Sequence, residues 1–264
     1  MRAAVGREVL RVAAGALGAV GIPLLPLKGV YLHACVYERP EERPITDVDV
    51  LVPEHRFDET RARLETLGWR WRPVHASEAV ATHPAFALPL DVHRRLFLPG
   101  VFALPTAAVF ARARRDAMAF GVEVWLPDAK DVLAHLVGHF VKSRGDADDV
   151  PHLEDFEHLG RRAALDPVES ARHLERVGMA RAARHALRYA ARRTPEGFAA
   201  KVLGALRRDR VGDALAWAAR VSASRAPKGA TLGAWPGFAL DRSLVHGGLA
   251  LARHLASRGH RPTR

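Results

Sequence analysis

Residues 43–52 have the sequence Arg43-Pro44-Ile45-Thr46-Asp47-Val48-Asp49-Val50-Leu51-Val52, in which two acids stand at the start of an apolar run. The β-branched residues and the proline that follows them predict a strand over Ile45–Val52. Side chains two residues apart point to the same face of a strand, so Asp47 and Asp49 are expected to project together into a surface cleft while the valines face the core. Two adjacent carboxylates repel each other unless a cation lies between them. The pattern therefore predicts a divalent metal site, with two solvated acids at a strand end as the alternative.

The order of acids and apolar residues separates the protein classes that contain such a pair. In phosphatases of the haloacid-dehalogenase type, and usually in glycosyltransferases, an apolar strand precedes the D-x-D motif. In this chain a loop rich in proline and charge, Glu38–Pro44, precedes the acids, and the apolar run follows them. This order is typical of polymerase-β-type nucleotidyltransferases. Mg²⁺ is the expected cation because it prefers oxygen ligands and phosphates can complete its shell.

Six separated motifs occur in the order that is found in one bacterial family. They are Leu27-Lys28-Gly29-Val30-Tyr31-Leu32, Tyr37, residues 43–52, Gly68-Trp69 after one helix, Leu90-Asp91-Val92-His93, and a later helix with His135 and His139. In this combination the chain resembles the uncharacterised bacterial nucleotidyltransferase family 5, which belongs to the polymerase-β-like superfamily. The resemblance covers residues 20–160, approximately.

The resemblance implies an α+β fold: a polymerase-β-like nucleotidyltransferase core with a small mixed sheet, followed by an all-helical C-terminal domain. It assigns Asp47 and Asp49 as paired metal ligands and Asp91 as the third acid, both for the metal and for catalysis. Gly29 is then expected to lie against the triphosphate at the start of a helix, where free N–H groups and the helix dipole favour anions. The implied cofactor is Mg²⁺, with Mn²⁺ as its substitute, and the implied substrate is a nucleoside triphosphate.

Three further residues are candidates for this site. Most of the superfamily has Gly-Ser at the turn where this chain has Lys28-Gly29. We expect the ammonium group of Lys28 to replace the serine hydroxyl and to contact the triphosphate rather than a protein carboxylate; an exposed strand-end lysine is the alternative. Arg43 is a second candidate for phosphate binding, although an arginine in a loop before a strand is more often solvated. His93 lies two residues after Asp91, on the same face, where it is expected to orient that acid or to touch the substrate.

The pattern of apolar and helix-capping residues predicts two domains: an α+β domain at residues 1–145 and a helical domain at residues 146–264, which binds the acceptor or acts as a lid. Helices are predicted over 7–20, 30–37, 54–67, 129–142 and 242–257. Asp128 is the expected cap of the helix at 129–142, and further helices are expected to start at Asp166-Pro167 and at Thr194-Pro195-Glu196. Besides residues 45–52, strand-like segments lie near 22–27, 69–74, 86–93 and 122–126, and a Gly/Pro/Ser-rich loop spans 222–241.

Composition limits the location and the partners of the chain. Forty Lys and Arg against 29 Asp and Glu give a net charge of +11, but only five of the basic residues are lysine and the arginines are scattered, so a solvated basic surface is favoured over a nucleic-acid site. The single cysteine, Cys35, fits a reducing cytoplasm. The most apolar stretch, residues 12–27, is shorter than the roughly 20 residues that a membrane span needs. We therefore expect a cytoplasmic protein without membrane association.

The function that follows is Mg²⁺-dependent transfer of a nucleoside monophosphate from an NTP to a hydroxyl group of a small molecule, peptide or protein, with release of pyrophosphate. Two alternatives stay open: a catalytically silent module that binds a nucleotide or a partner, and a basic nucleic-acid-binding protein. The presence of all three acids favours the enzyme. The base of the NTP, the acceptor and the oligomeric state are left open by the sequence.

Overall fold

The structure is a computed structural model that describes residues 2–39, 42–75, 77–97, 101–143, 150–211 and 214. The described residues form two compact units. The first contains the residues up to 96 together with 104–132, and the second contains 97–103 and the residues from 133 onward. The predicted division into domains 1–145 and 146–264 stays a prediction.

The first unit is built on a small mixed sheet. Its strands are β1 (Leu25–Pro26), β2 (Val48–Leu51), β3 (Arg70–His75), β4 (Glu78–Thr82) and β5 (Leu90–His93). Their order across the five-stranded sheet is β1-β2-β5-β4-β3. The pair β2 and β5 is parallel, and the other pairings are antiparallel. Because β2 and β5 are parallel neighbours, the acidic motifs that they carry lie side by side.

Three helices pack in the same unit: α1 (Arg2–Gly18), α2 (Lys28–Cys35) and α3 (Phe57–Glu65). Helix α1 buries Leu10 and Leu17 at helical spacing. Ile45 lies against Gly6 of α1 and Gly29 of α2, where any Cβ atom would collide with the isoleucine side chain. The two glycines therefore let both helices approach the segment that leads into β2.

A separate two-stranded sheet completes the first unit. It consists of β6 (Arg114–Asp116) and β7 (Val124–Leu126), which follow helix α4 (Thr106–Arg112). The Trp125 N–H donates a hydrogen bond of 2.8 Å to the Leu24 carbonyl oxygen, which attaches the pair beside β1. Arg112 donates hydrogen bonds of 2.8 and 2.9 Å to the two oxygens of the buried Asp131 carboxylate. The first contact thus holds β6 and β7 beside β1, and the second holds the end of α4 to Asp131.

The described residues after Asp128 are helical. The helices are α5 (Ala129–Lys142), α6 (Val150–Arg162), α7 (Pro167–Arg176), α8 (Ala180–Arg193) and α9 (Phe198–Ala205). Asp128 accepts a hydrogen bond from the Lys130 N–H at 2.8 Å, and Asp166 accepts one from the Glu169 N–H at 2.7 Å, so both predicted caps are present. The mixed sheet and this helical part confirm the predicted α+β class. Within the described ranges no helix is long and apolar enough to cross a membrane, and the loop and helix predicted at 222–257 lie outside those ranges.

The predicted helix start at Thr194-Pro195-Glu196 is wrong. Helix α9 begins at Phe198, and the carboxylate of Glu157 on α6 accepts hydrogen bonds from the Phe198 and Ala199 N–H groups at 2.7 and 3.0 Å. Thr194 instead ends α8. A carboxylate from another helix thus replaces the local capping residue, and local sequence does not reveal it.

Other elements differ from the prediction in extent. Strand β2 covers only Val48–Leu51 of the predicted 45–52, and the helix predicted at 54–67 begins as a single 3-10 turn, Glu54–Arg56, before α3. Strand β4 was not predicted, because Ala79 and Ala81 lack the β-branched side chains that indicate a strand. Both alanines are buried in the sheet, so packing rather than propensity determines this strand.

We expect the Glu157→Ala variant to lose about 1–2 kcal/mol of unfolding free energy, because two N–H groups at the start of α9 lose their acceptor. Chemical denaturation measures this loss. Glu154→Ala, an exposed position on the same helix, is the matched control and should lose less than about 0.5 kcal/mol. Equal losses in the two variants would contradict the capping role of Glu157.

Candidate active site

Two acidic residues are paired directly across the parallel strands. In the register of β2 and β5, Asp49 lies opposite Asp91. The Val48 N–H donates to the Pro89 carbonyl oxygen at 2.9 Å, which holds this register at the start of both strands. Asp47 precedes β2 by one residue and is half-buried, as is Asp91. The structure therefore brings the three predicted acids to one region at the amino ends of β2 and β5.

Asp49 is the buried member of this group, with only 3% of its surface exposed. Its Oδ1 atom lies 2.5 Å from Lys28 Nζ and 2.9 Å from His93 Nε2. One carboxylate oxygen thus binds two nitrogen donors. The expectation that Asp49 lines a surface cleft is wrong, because the lysine and histidine side chains cover it.

Lys28 links the start of α2 to this carboxylate. Its φ angle of 41° lies in the left-handed region, which residues other than glycine rarely adopt. This backbone conformation comes directly before Gly29, at the first turn of α2. The side chain is 16% exposed and pairs with Asp49. Lys28 thus pairs with a protein carboxylate, contrary to expectation, and its contact with a triphosphate stays a prediction.

The remaining predicted residues lie at or near this group. Gly29 is buried and packs against Ile45, which explains its lack of a side chain without any ligand. Arg43 donates a hydrogen bond of 3.1 Å to the neighbouring Pro44 carbonyl oxygen. His93 contacts Asp49 rather than its sequence neighbour Asp91, so the expected orienting contact exists with a different acid. The roles of these residues in nucleotide binding stay predictions.

Sequence analysis missed one acidic residue of the site, Glu78. It lies on β4 directly opposite His93, and its Oε2 atom is 3.5 Å from His93 Nδ1. The sequence contains only a weak signal for this strand: small and larger side chains alternate in Glu78-Ala79-Val80-Ala81-Thr82, but only Val80 and Thr82 are β-branched. The position of Glu78 opposite His93 depends on the pairing of β4 with β5, which local sequence does not reveal.

The match to a protein family covers most of the chain. Residues 2–195 match the family model described as uncharacterised nucleotidyltransferase. The chain belongs to this family. It is therefore a nucleotidyltransferase, and the expected fold and enzyme class are confirmed. No curated protein shows a significant sequence match to it.

Three solved structures are similar to this nucleotidyltransferase. A crystal structure of ANT(2'')-Ia in complex with adenylyl-2''-tobramycin has a TM-score of 0.49 and 16% identity, and the match covers 65% of this chain and 95% of that one. A solution structure of the antibiotic-resistance factor ANT(2'')-Ia has a TM-score of 0.48 and 17% identity, covering 71% and 94%. A crystal structure of an antigenic nucleotidyltransferase-like protein from Paracoccidioides brasiliensis has a TM-score of 0.48 and 15% identity, covering 77% and 94%.

The charges of the nucleotidyltransferase site interact strongly. Burial opposes ionisation of Asp49, but Lys28 and His93 outweigh it and hold the pKa of this carboxyl well below its usual range. Burial likewise opposes the charge on Lys28, but Asp49 outweighs it and raises the pKa of the lysine, with smaller contributions from Asp47 and Glu78. Lys28 and Asp49 are therefore a buried ion pair at neutral pH.

The surroundings of the other two acids, Asp47 and Asp91, disfavour their ionised forms. Burial and the neighbouring carboxylates of Asp49, Asp47 and Glu78 raise the pKa of Asp91 to about 7. Burial and Asp49 also raise the pKa of Asp47. The acids thus carry more negative charge than Lys28 neutralises, which is the electrostatic condition that favours binding of an added cation.

The donor set fits a divalent cation that prefers oxygen. Asp47, Asp49 and Asp91 provide only carboxylate oxygens, the ligands that suit Mg²⁺ and Mn²⁺. In the described ranges, no group of three or more His, Cys, Asp or Glu side chains is arranged so that it could hold a metal ion by itself. Mg²⁺ in nucleotide enzymes is usually bound by one or two carboxylates together with substrate phosphates and water.

Asp47 and Asp49 should differ in their importance for stability. We expect Asp49→Asn to lose about 3–5 kcal/mol of unfolding free energy, because it leaves a buried ammonium group without its counter-ion. Asp47→Asn should change stability by less than about 1 kcal/mol, since Asp47 is half-buried outside that pair. Chemical denaturation without divalent cations measures both. Adding Lys28→Met to Asp49→Asn should recover part of the loss; equal losses in the two single variants would contradict the assignment.

The raised pKa of Asp91 predicts how stability depends on pH. An acid whose pKa is higher in the folded than in the unfolded protein stabilises the fold at low pH, and this contribution is lost as the pH rises. Between about pH 4 and 7 the folded protein binds the extra proton on Asp91. We therefore expect the melting temperature of the metal-free protein to fall from pH 5 to pH 8 more steeply than that of Asp91→Asn, in scanning calorimetry. Parallel curves would contradict the pKa; Asp58→Asn, an exposed acid on α3, is the control.

Proposed function

We propose that this nucleotidyltransferase moves a nucleoside monophosphate from an NTP to an acceptor hydroxyl group and releases pyrophosphate, with Mg²⁺ as the cofactor. The observation that carries the proposal is the register of β2 and β5, in which Asp49 and Asp91 lie opposite each other with Asp47 next to them. The NTP supplies the activated phosphate, and the acceptor is a small molecule, a peptide or a protein.

The three acids divide the work of the reaction. Asp47 and Asp49 hold the cation, and when bound it supplies positive charge to the phosphate oxygens and lowers the pKa of the attacking hydroxyl. Asp91 accepts the proton of that hydroxyl on a carboxylate oxygen, so that the attacking atom becomes more nucleophilic. Its place beside Asp49, on the neighbouring strand, supports this role.

Lys28 and Gly29 bind the triphosphate. The ammonium group is at the first residue of α2, whose free N–H groups attract an anion. Lys28 neutralises Asp49. With a cation held at the acids, the charge of Asp49 would be balanced, and Lys28 would be able to pair with the β- and γ-phosphates. Arg43, in the loop before Asp47, is the second basic residue that we assign to the phosphates.

Labelled nucleotides test the activity directly. Each of the four NTPs, labelled at the α-phosphate, is incubated with the protein, Mg²⁺ or Mn²⁺ and a fractionated metabolite and protein extract. We expect one NTP to transfer its label to an acceptor, with release of an equal amount of pyrophosphate. Absence of transfer from all four NTPs, together with absence of nucleotide binding, overturns the proposal and favours a partner-binding module. Binding without transfer favours a catalytically silent nucleotide-binding protein.

The Asp91→Asn variant separates chemistry from binding. We expect its single-turnover rate of transfer to fall by about 10²–10⁴, the usual range for loss of a general base. Its affinity for Mg²⁺·NTP, measured by calorimetry, should stay within a few-fold of wild type, because the lost interaction acts in the transition state. Asp58→Asn is the matched control and should keep the wild-type rate. An unchanged rate in Asp91→Asn would contradict the catalytic role.

A further inference from the structure

Glu78 shares a face of the sheet with the acids of the site. It lies opposite His93 in the antiparallel pairing of β4 and β5, and Asp49 lies opposite Asp91 in the parallel pairing of β2 and β5. Asp91 and His93 are two residues apart on β5, so their side chains point to the same face. The pairing across three strands therefore brings Glu78, His93 and Asp49 together.

The side chains form a continuous chain of contacts. Glu78 Oε2 lies 3.5 Å from His93 Nδ1, at the outer limit of hydrogen-bond distance. His93 Nε2 lies 2.9 Å from Asp49 Oδ1. One imidazole ring thus bridges two carboxylates through its two nitrogens. Because a carboxylate only accepts hydrogen bonds, His93 Nε2 is the donor in its hydrogen bond with Asp49 Oδ1.

Burial makes this arrangement specific. The side chains of Glu78, His93 and Asp49 are 12%, 7% and 4% exposed. A carboxylate with so little access to water is costly unless polar partners compensate it. Strand β4 has one acid, Glu78, and this acid faces His93. Ala79 and Ala81 of the same strand are apolar and buried.

We propose that Glu78 is a positioning residue for the divalent cation. Acting through His93, it holds the Asp49 carboxylate with Oδ1 toward His93 and Lys28, so that the other oxygen, Oδ2, binds the cation. The inference rests on the proposed function, because it concerns the cation of that site. It assigns no chemical step to Glu78.

The expected effect follows from how ligand groups are usually held. Partners that hydrogen-bond to a metal ligand fix its orientation, and their loss typically costs about 10–100-fold in metal affinity or activity. Without the Glu78 charge the ring of His93 loses one of its two contacts with the acids, and the orientation of Asp49 is held less firmly. The loss should therefore appear first as weaker binding of the cation, and should be recovered at high cation concentration.

Mn²⁺ binding to the full-length protein tests the inference, measured by electron paramagnetic resonance with no nucleotide present. We expect Glu78→Gln to bind Mn²⁺ about 10–100-fold more weakly than wild type. In transfer assays it should need correspondingly more Mn²⁺, with a nearly unchanged maximal rate. Glu123→Gln, whose carboxylate is 64% exposed before β7, is the matched control and should bind Mn²⁺ like wild type. Wild-type affinity in Glu78→Gln overturns the inference.

A double variant tests whether Glu78 acts through His93. The combination of Glu78→Gln with His93→Asn should weaken Mn²⁺ binding no further than His93→Asn alone. Losses of Mn²⁺ affinity that multiply in the double variant overturn the inference. A loss of transfer activity in Glu78→Gln that high Mn²⁺ does not recover also overturns it, if the melting temperature of the variant is unchanged. The outcomes also separate the two proposals. If Mn²⁺ binding depends on Glu78 but no label is transferred, the proposed function alone is overturned. If label is transferred but Mn²⁺ binding does not depend on Glu78, this inference alone is overturned.

Discussion

The buried pairing of Asp49 with Lys28 and His93 is the interaction on which the rest of the site depends. It connects three elements that are separate in the chain: the start of α2, the strand β2 and the end of β5. Removing any one partner leaves a charged or polar group in a place with little water, which is more costly than the pair itself is stabilising. The arrangement therefore favours one relative placement of these elements over its alternatives.

This pairing also gives the carboxylates different properties. Asp49 is surrounded by donors, which hold its pKa low, while Asp47 and Asp91 have fewer and experience the charge of Asp49. Asp49 is thus ionised at neutral pH, and added positive charge favours the ionised forms of Asp47 and Asp91. Such a difference within one group of acids is a common feature of sites that both bind a cation and handle a proton.

The sequence predicted the parts of the fold that depend on neighbouring residues. The strand around Val48, the cap at Asp166 and the α+β class follow from local patterns, and the structure agrees with them. The register that places Asp49 opposite Asp91 follows only from the pairing of distant strands, so the sequence suggested the group of acids through resemblance to a family. Contacts between residues that are distant in sequence explain the errors. Lys28 pairs with a carboxylate 21 residues further along the chain, and Glu157 caps a helix that begins 41 residues further along.

Ile45, a residue without charge, sets the space available behind the first turn of α2. Its side chain fills the volume left by Gly6 and Gly29, so its size limits how closely α1 and α2 approach the segment that leads into β2. The Lys28 ammonium group is carried by that turn. A change of volume at residue 45 therefore acts on the turn that carries the lysine and leaves every charged group of the site unaltered in sequence.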